Sequence, residues 1–359
     1  MSDTTVGRFR ILALNGGGVR GLYTISVLAE LERILAEREG KPDLSIASYF
    51  DLITGSSIGG ILALALSDGH NARSLKEKFM FHAPAIFPED KWKIKSIGKI
   101  VRLYRLLAKT LYSPEPLKNC VEDILGRDRK IRDLERRILI PTVNLTTGRP
   151  LYVKTCHDPS FTRDDKFYLV DVGMATSAAP TYFPPHYIDS ESAYFADGGL
   201  LANNPSFVAY HEALTYIGRG ELAGLKSEQI FILNIGTLSN SFCIDPRKIK
   251  NVFHGYIGLW GGGKDLIDTV MASNQLMHGY MAKRALGHNK NIFEIDDIVP
   301  DQQSSLISLD NANHEALKVL VGRGNSSATV FTGNTIAMQT FFDVPAPKFI
   351  HPAARGVQV

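Results

Sequence analysis

The chain has 359 residues, of which 44% are apolar and 21% charged, enough to bury a sizeable core and unlike a disordered chain. Forty Lys and Arg against 37 Asp and Glu give a net charge of +3, too balanced for a dedicated nucleic-acid binder. The opening Met1-Ser2-Asp3-Thr4-Thr5 is too polar for a secretory leader, and the most apolar stretch, Ile58 to Leu66, falls far short of the roughly 20 residues of a membrane helix. A cytoplasmic chain is expected, and Cys120, Cys156 and Cys243, with no CxxC pair among them, read as reduced, buried thiols.

In chain order, Phe9–Leu14 reads as a short buried strand running straight into Asn15-Gly16-Gly17-Gly18. From Tyr23 to Glu39, Ile25, Leu28, Leu31, Ile34 and Leu35 recur at helical spacing, and Gly40 ends the pattern. Tyr49–Thr54 predicts a second strand, then a glycine-rich turn and a helix to about Ser67. Strand, turn and helix in this order predict a parallel α/β architecture. Lys91 to Ser113 holds seven basic residues and no acid. As a helix it would set Ile97, Ile100, Val101, Tyr104 and Leu107 opposite Lys95, Lys99 and Arg102, with Trp92 just upstream. A membrane-facing helix, a lid and an ordinary surface helix all fit the basic part, Lys91–Lys109.

Further strands are predicted at Ile138–Leu145, Leu151–Thr155, Ala193–Ala196 and Ile230–Ile235, and Asn204-Pro205 should open a helix reaching Ile217. Beyond Gly236 a loop-rich stretch leads to helices near Asp265–Leu286, Asn311–Val321 and Ala328–Phe342. This divides the chain into a core over 9–235 and a helical extension over 236–359 packed on it. Gly258-x₄-Gly263-Lys264 has the outline of a P-loop, but Asp265 stands where a Ser or Thr should hold magnesium, so it reads as a flexible glycine loop.

Three motifs carry chemistry. Gly16, Gly18 and Gly21 form G-x-G-x-x-G between a strand and a helix, a loop able to cradle a pyrophosphate or an oxyanion. Dinucleotide binding needs an acid about 20 residues on, at the end of the next strand; that strand ends in Thr54-Gly55-Ser56-Ser57. Gly55-Ser56-Ser57-Ile58-Gly59 is a G-x-S-x-G elbow, which exposes a serine Oγ above a sheet and makes Ser57 the candidate nucleophile. Its base is open at this point. His211, His254 and His278 lie downstream and admit a triad, though an α/β-hydrolase places its elbow after more strands. Asp197-Gly198-Gly199 follows the strand Tyr194-Phe195-Ala196. It is either an ordinary turn or a carboxylate that takes the hydroxyl proton directly.

Taken together, the sequence resembles the patatin-like phospholipases, whose pattern is a G-G-G-x-[RK]-G loop, a G-x-S-x-G elbow and a later D-G-[GA]. All three occur in order at Gly16–Gly21, Gly55–Gly59 and Asp197–Gly199, and Ala175 to Pro185 matches the family's small-residue segment ending in F-P-P. The resemblance implies a three-layer α/β/α fold with a mainly parallel central sheet and additional C-terminal helices. It implies a Ser57–Asp197 dyad, an oxyanion hole from Gly16, Gly17 and Gly18, and loop stabilisation by Arg20 and Gly21. Gly55 and Gly59 would shape the elbow, Gly198 and Gly199 the acid turn. Asn15 replaces the Asp of many members. No cofactor or metal is expected for the chemistry.

In length and general organisation the chain is similar to the bacterial patatins of antiphage defence. That implies a cyclic dinucleotide activator from a partner nucleotidyltransferase, phospholipid substrate at the inner face of the membrane, and room for a homo-oligomer. The nucleotide site stays unassigned; Arg247, Lys264, Lys283 and Arg284 are candidates, with solvated charge the plainer account of each. A constitutive lipid hydrolase and a His-dependent esterase are the alternatives.

Overall fold

In the computed structural model, residues 7–89, 110–158, 160–218, 222–238, 249–250, 258–287, 291–299, 303 and 306–352 are described. The basic segment Lys91–Lys109, Cys243, Arg247 and His254 lie outside them.

Strand β1 (Phe9–Leu14) is buried at every residue. Its alternation sends Ile11 and Ala13 into one apolar cluster and Leu12 and Leu14 into another, as a strand covered on both faces requires. After it come helix α1 (Gly21–Glu39), β2 (Leu52–Gly55), α2 (Ile58–Ser67), α3 (Ala72–Ile86) and α4 (Pro114–Leu125). Next are β3 (Arg137–Asn144), β4 (Arg149–Lys154), α5 (Leu169–Thr176), β5 (His186–Ile188) and β6 (Ala193–Asp197). The chain continues through the short α6 (Gly199–Ala202), α7 (Ser206–Glu212), β7 (Ile230–Ile235) and α8 (Lys264–Ala285). It ends in β8 (Ile292–Ile295), α9 (His314–Thr332) and α10 (Thr335–Phe342).

Among the described residues the sheet has eight strands in the order β5-β6-β3-β2-β1-β7-β8, with β4 paired to β3. The run β3-β2-β1-β7-β8 is parallel, and β4, β5 and β6 are joined antiparallel. Leu28 of α1, Phe79 of α3 and Leu320 of α9 pack on one face with Leu12 and Leu14. Ala209 and Tyr210 of α7 and Ala282 of α8 pack on the other with Ile11 and Ala13. The result is the three-layer α/β/α fold. Because β1, β2, β7 and β8 run the same way, the loops that leave them gather at one edge of the sheet, where sites of parallel sheets form.

Four elements differ from expectation. The strand placed at Tyr49–Thr54 is a 3₁₀ turn over Ile46–Tyr49 and then β2 from Leu52. Tyr49 and Phe50 instead join an aromatic group with Phe341 and Phe342, and the Asp51 carboxylate accepts the Arg10 N–H at 2.8 Å. At the next helix Asn204 takes the Ser206 N–H at 3.1 Å, so α7 starts after the Asn-Pro pair and runs on through a π turn to Ile217. The segment beyond 236 is not helical throughout: Ile-Phe-Glu-Ile of β8 pairs with β7, too short a run to show a period. Finally, His314–Thr332 is one helix and Thr335–Phe342 the next, where helices near Asn311–Val321 and Ala328–Phe342 were expected.

Gly324 is a contact and not a break. A Cβ there would lie 2.6 Å from Ser26 Cβ and 2.7 Å from Tyr23 O of α1. Gly324→Ala therefore sets helix propensity, a gain of about 1 kcal/mol, against overpacking on backbone, a loss of about 1–3 kcal/mol. Net destabilisation is expected in urea unfolding; a stabilised variant would show that α1 and α9 separate more easily than this packing allows.

Candidate active site

The elbow is built by the abrupt passage from β2 to α2. Ser57 sits between them at φ 55°, ψ −127°, a conformation that costs an L-residue on the order of 1–3 kcal/mol. Its surroundings hold it there. Gly59 carries no Cβ because one would strike Leu14 O. The Ser57 N–H donates to Thr176 Oγ1 at 3.2 Å, and that hydroxyl donates to Pro141 O at 2.8 Å. Ser57 O receives the N–H groups of Gly60 and Ile61 at 2.9 and 3.2 Å, so α2 aims its positive end at the serine. Ser56 is fully buried and plays the turn residue.

Asp197, at the end of β6, is placed by the register Thr142↔Asp197. Ser57 Oγ donates to Asp197 Oδ2 at 2.7 Å, and Asp197 Oδ1 accepts the Gly199 N–H at 2.6 Å. The carboxylate is 1% exposed, and burial pushes its pKa up to about 7 against the pull of those two hydrogen bonds. Thr176 O takes the Gly198 N–H at 3.0 Å, and Ala178 O takes the Asp197 N–H at 3.0 Å. One small-residue segment thus braces both Ser57 and Asp197. Among the described residues no histidine reaches either group: His278 Nδ1 lies 2.8 Å from Asn274 O, and His211 meets Thr215. The group that accepts the Ser57 hydroxyl hydrogen bond is the Asp197 carboxylate.

The glycine loop leaves β1 beside this pair. Gly16, expected among the oxyanion donors, is corrected: its N–H is committed to Asn203 O at 3.0 Å, and it allows Asn203 to sit against the backbone. The N–H groups of Gly17 and Gly18 meet no acceptor among the described residues. Gly18 holds φ +56°, and a Cβ on it would collide with Leu309 O, which accepts the Val19 N–H at 2.9 Å. Gly21 packs flush on Ile58, joining loop to elbow. Burial lowers the Arg20 pKa, and the nearby carboxylates of Asp268 and Asp296 counter this only in part. Asn15 donates its backbone N–H to Ile235 O at 3.1 Å, with its side-chain oxygen buried and unpaired.

Ser57 lines a pocket together with Ile58, Ile61, Phe79, Phe87, Leu117 and Phe183, and with Gly18, Leu309 and Met271. Its lining suits an acyl chain. Sequence reasoning missed Thr176, although the segment holding it was singled out. It also missed Asn203, four residues past the acid motif, and Asn274, whose Nδ2 donates to Gly199 O at 2.6 Å.

The remaining candidates sit elsewhere. Gly261–Gly263 is a 3₁₀ turn opening α8, Lys264 pairs with Asp310 at 3.4 Å, and Lys283 pairs with Glu294. Arg284 lies over the Tyr280 ring. Cys120 and Cys156 are buried free thiols. Cys156, Asp165 and His351 bring three potential ligand atoms within 4.8 Å, near the opposite end of the sheet, with His351 Nε2 2.8 Å from Asp165. Among the described residues no helix is long and apolar enough to cross a membrane.

Comparison with known proteins adds to this geometry. A family model described as patatin-like phospholipase matches residues 12–210. The chain is 45% identical over 344 residues to a cGAMP-activated phospholipase of Vibrio cholerae serotype O1, covering 95% of this chain and 96% of the relative. It is 43% identical over 356 residues to a protein of the same name from Escherichia coli, covering 97% and 98%. A third of that name, from Pseudomonas aeruginosa, is 37% identical over 359 residues, covering 99% and 98%.

Proposed function

From the premise that this chain belongs to the patatin-like phospholipase family, we propose that Ser57 and Asp197 form a dyad that releases fatty acids from membrane phospholipids through an acyl-enzyme. The observation that carries the reading is the 2.7 Å bond from Ser57 Oγ to the buried Asp197 carboxylate at the mouth of an apolar pocket.

Ser57 Oγ attacks the ester carbonyl carbon while its proton passes to Asp197 Oδ2. The tetrahedral oxyanion forms where the Gly17 and Gly18 N–H groups and the start of α2 favour negative charge. Collapse expels the lysophospholipid alkoxide, which takes the proton back from Asp197. Water then attacks the acyl-serine carbonyl carbon, giving its proton to the same carboxylate; the Ser57 Oγ–acyl bond breaks as Oγ takes that proton back from Asp197, and the fatty acid leaves along the apolar wall. Strain at Ser57, together with the Thr176 brace, keeps the nucleophile aligned before substrate arrives.

Relatives that match nearly the whole chain are named for activation by cGAMP. The activator proposed for this chain is a cyclic dinucleotide made by a partner nucleotidyltransferase, with action at the inner face of the membrane. The test is fatty-acid release from phosphatidylethanolamine–phosphatidylglycerol vesicles by wild type and Ser57→Ala, with and without a panel of cyclic dinucleotides. Release by wild type alone, and with one nucleotide alone, is the expected result. Release without nucleotide would keep the hydrolase and remove the switch. Equal release by both proteins would overturn the dyad.

A further inference from the structure

The outward face of α8 is apolar where a surface helix is ordinarily polar. Eight of its positions are exposed. Six carry large apolar chains: Leu266 at 37%, Val270 at 39%, Leu276 at 64%, Met277 at 51%, Tyr280 at 62% and Met281 at 37%. The other two are Ser273 and Arg284.

Their spacing is ordered. Leu266, Val270, Ser273, Met277, Tyr280 and Arg284 follow one another at intervals of four and three, the seam that a second helix fills with knobs into holes. The seam also complements itself when reversed. Antiparallel pairing sets Val270 against Tyr280 and Ser273 against Met277, small against large. It brings Arg284 of one copy to the end of the helix that carries Asp265 of the other. Helix dipoles then oppose as well, whereas parallel pairing would set like ends together. We infer that this face of α8 is a two-fold interface through which the chain pairs with a second copy of itself. A bilayer fits less well, since an interfacial helix surrounds its apolar stripe with cations, whereas on α8 Lys264 and Lys283 are paired with Asp310 and Glu294 and Arg284 lies over the Tyr280 ring.

The inner face of the same helix braces the residues around the candidate site. Asn274 Oδ1 accepts the Asn203 N–H at 2.9 Å, and Gln275 Oε1 accepts from Asn203 Nδ2 at 2.7 Å. With the Asn274 bond to Gly199 O, α8 touches both the acid turn and the residue that fixes Gly16. The interface therefore lies about one helix diameter, ~10 Å, from the machinery of hydrolysis.

Sedimentation equilibrium of the full chain tests this independently of any activity. Wild type should have twice the mass of one chain, and Val270→Glu with Met277→Glu should weaken self-association about 100-fold or more. Both sites are exposed, so the thermal melt of the separated chains should be preserved. Register is tested by mixing copies carrying Ser273→Cys with copies carrying Met277→Cys under mild oxidation. The mixture should form a covalent dimer, and neither variant alone should. A monomeric wild type overturns the inference, as does a dimer untouched by the charges with no crosslink. So does loss of vesicle binding in the Glu variant at unchanged mass, which would assign the face to lipid.

Discussion

Asp197→Asn is expected to lower fatty-acid release by on the order of 10⁴-fold or more while making the folded chain more stable above pH 7. The amide keeps the shape of the carboxylate and can still accept the Gly199 N–H, but it cannot take the Ser57 proton. The gain in stability follows from the sign of the pKa shift. Burial raises Asp197 from 3.8 to about 7, so the folded state binds the proton more tightly than the unfolded chain. The stability this contributes is complete below about pH 4 and is lost as pH rises through 7. By pH 8 the ionised carboxylate costs on the order of 4 kcal/mol relative to a group indifferent to pH. Asn is such a group. Thermal melts of the two proteins should converge near pH 4 and separate toward pH 8, with the variant higher.

The same shift sets the rate profile. Wild-type kcat/KM should climb as Asp197 ionises, with a midpoint near pH 7, because only the carboxylate can act as base. Ser57→Ala should lose comparable activity without the stability gain. It removes a hydroxyl whose hydrogen bond holds the Asp197 pKa down, so the carboxyl rises further and the high-pH penalty remains. Turnover by Asp197→Asn within tenfold of wild type would remove the carboxylate from the mechanism.

How much of this was legible in the chain depends on whether the information is local. β1 and β7 run over the residues predicted, because a short apolar run bounded by turn residues has little else to become. Ser57 and Asp197 were legible because each sits in a motif whose glycines have a backbone reason to be there. What holds them was not. Thr176 looks like any small residue in Ala-Thr-Ser-Ala-Ala, and only in three dimensions does its hydroxyl join Ser57 N–H to Pro141 O. Leu309 acts through its carbonyl, which no side-chain pattern can announce. The helices expected near Asn311–Val321 and Ala328–Phe342 divide elsewhere for a related reason: the stretch between them is helical, and Gly324 within it lies where α1 passes so close that a side chain would not fit. The glycine loop shows the same limit: three glycines look equivalent in sequence, and a single bond from Gly16 to Asn203 O separates one from the other two.

That distinction makes Gly18→Ala the sharpest probe of the loop. Gly18 holds φ +56°, so a Cβ costs about 1–2 kcal/mol of backbone strain and would also meet Leu309 O. That oxygen is fixed by the Val19 N–H at 2.9 Å, so the neighbour cannot withdraw without breaking the bond that anchors the loop. The loop must move instead, carrying the Gly17 and Gly18 N–H groups with it. Losing one such donor typically costs about 10²–10³ in kcat, and this is the loss expected, with KM less affected because the acyl wall is untouched. Gly40→Ala is the matched control. Gly40 has φ +64°, and a Cβ there would meet nothing within 4 Å, so it suffers the backbone strain without the collision, far from any donor. Gly18→Ala should lose at least as much stability in urea as Gly40→Ala, because it adds the collision to the same strain, and only Gly18→Ala should lose turnover. Equal rates in the two would mean that the oxyanion is held by the first turn of α2 alone, and that the glycine loop serves packing.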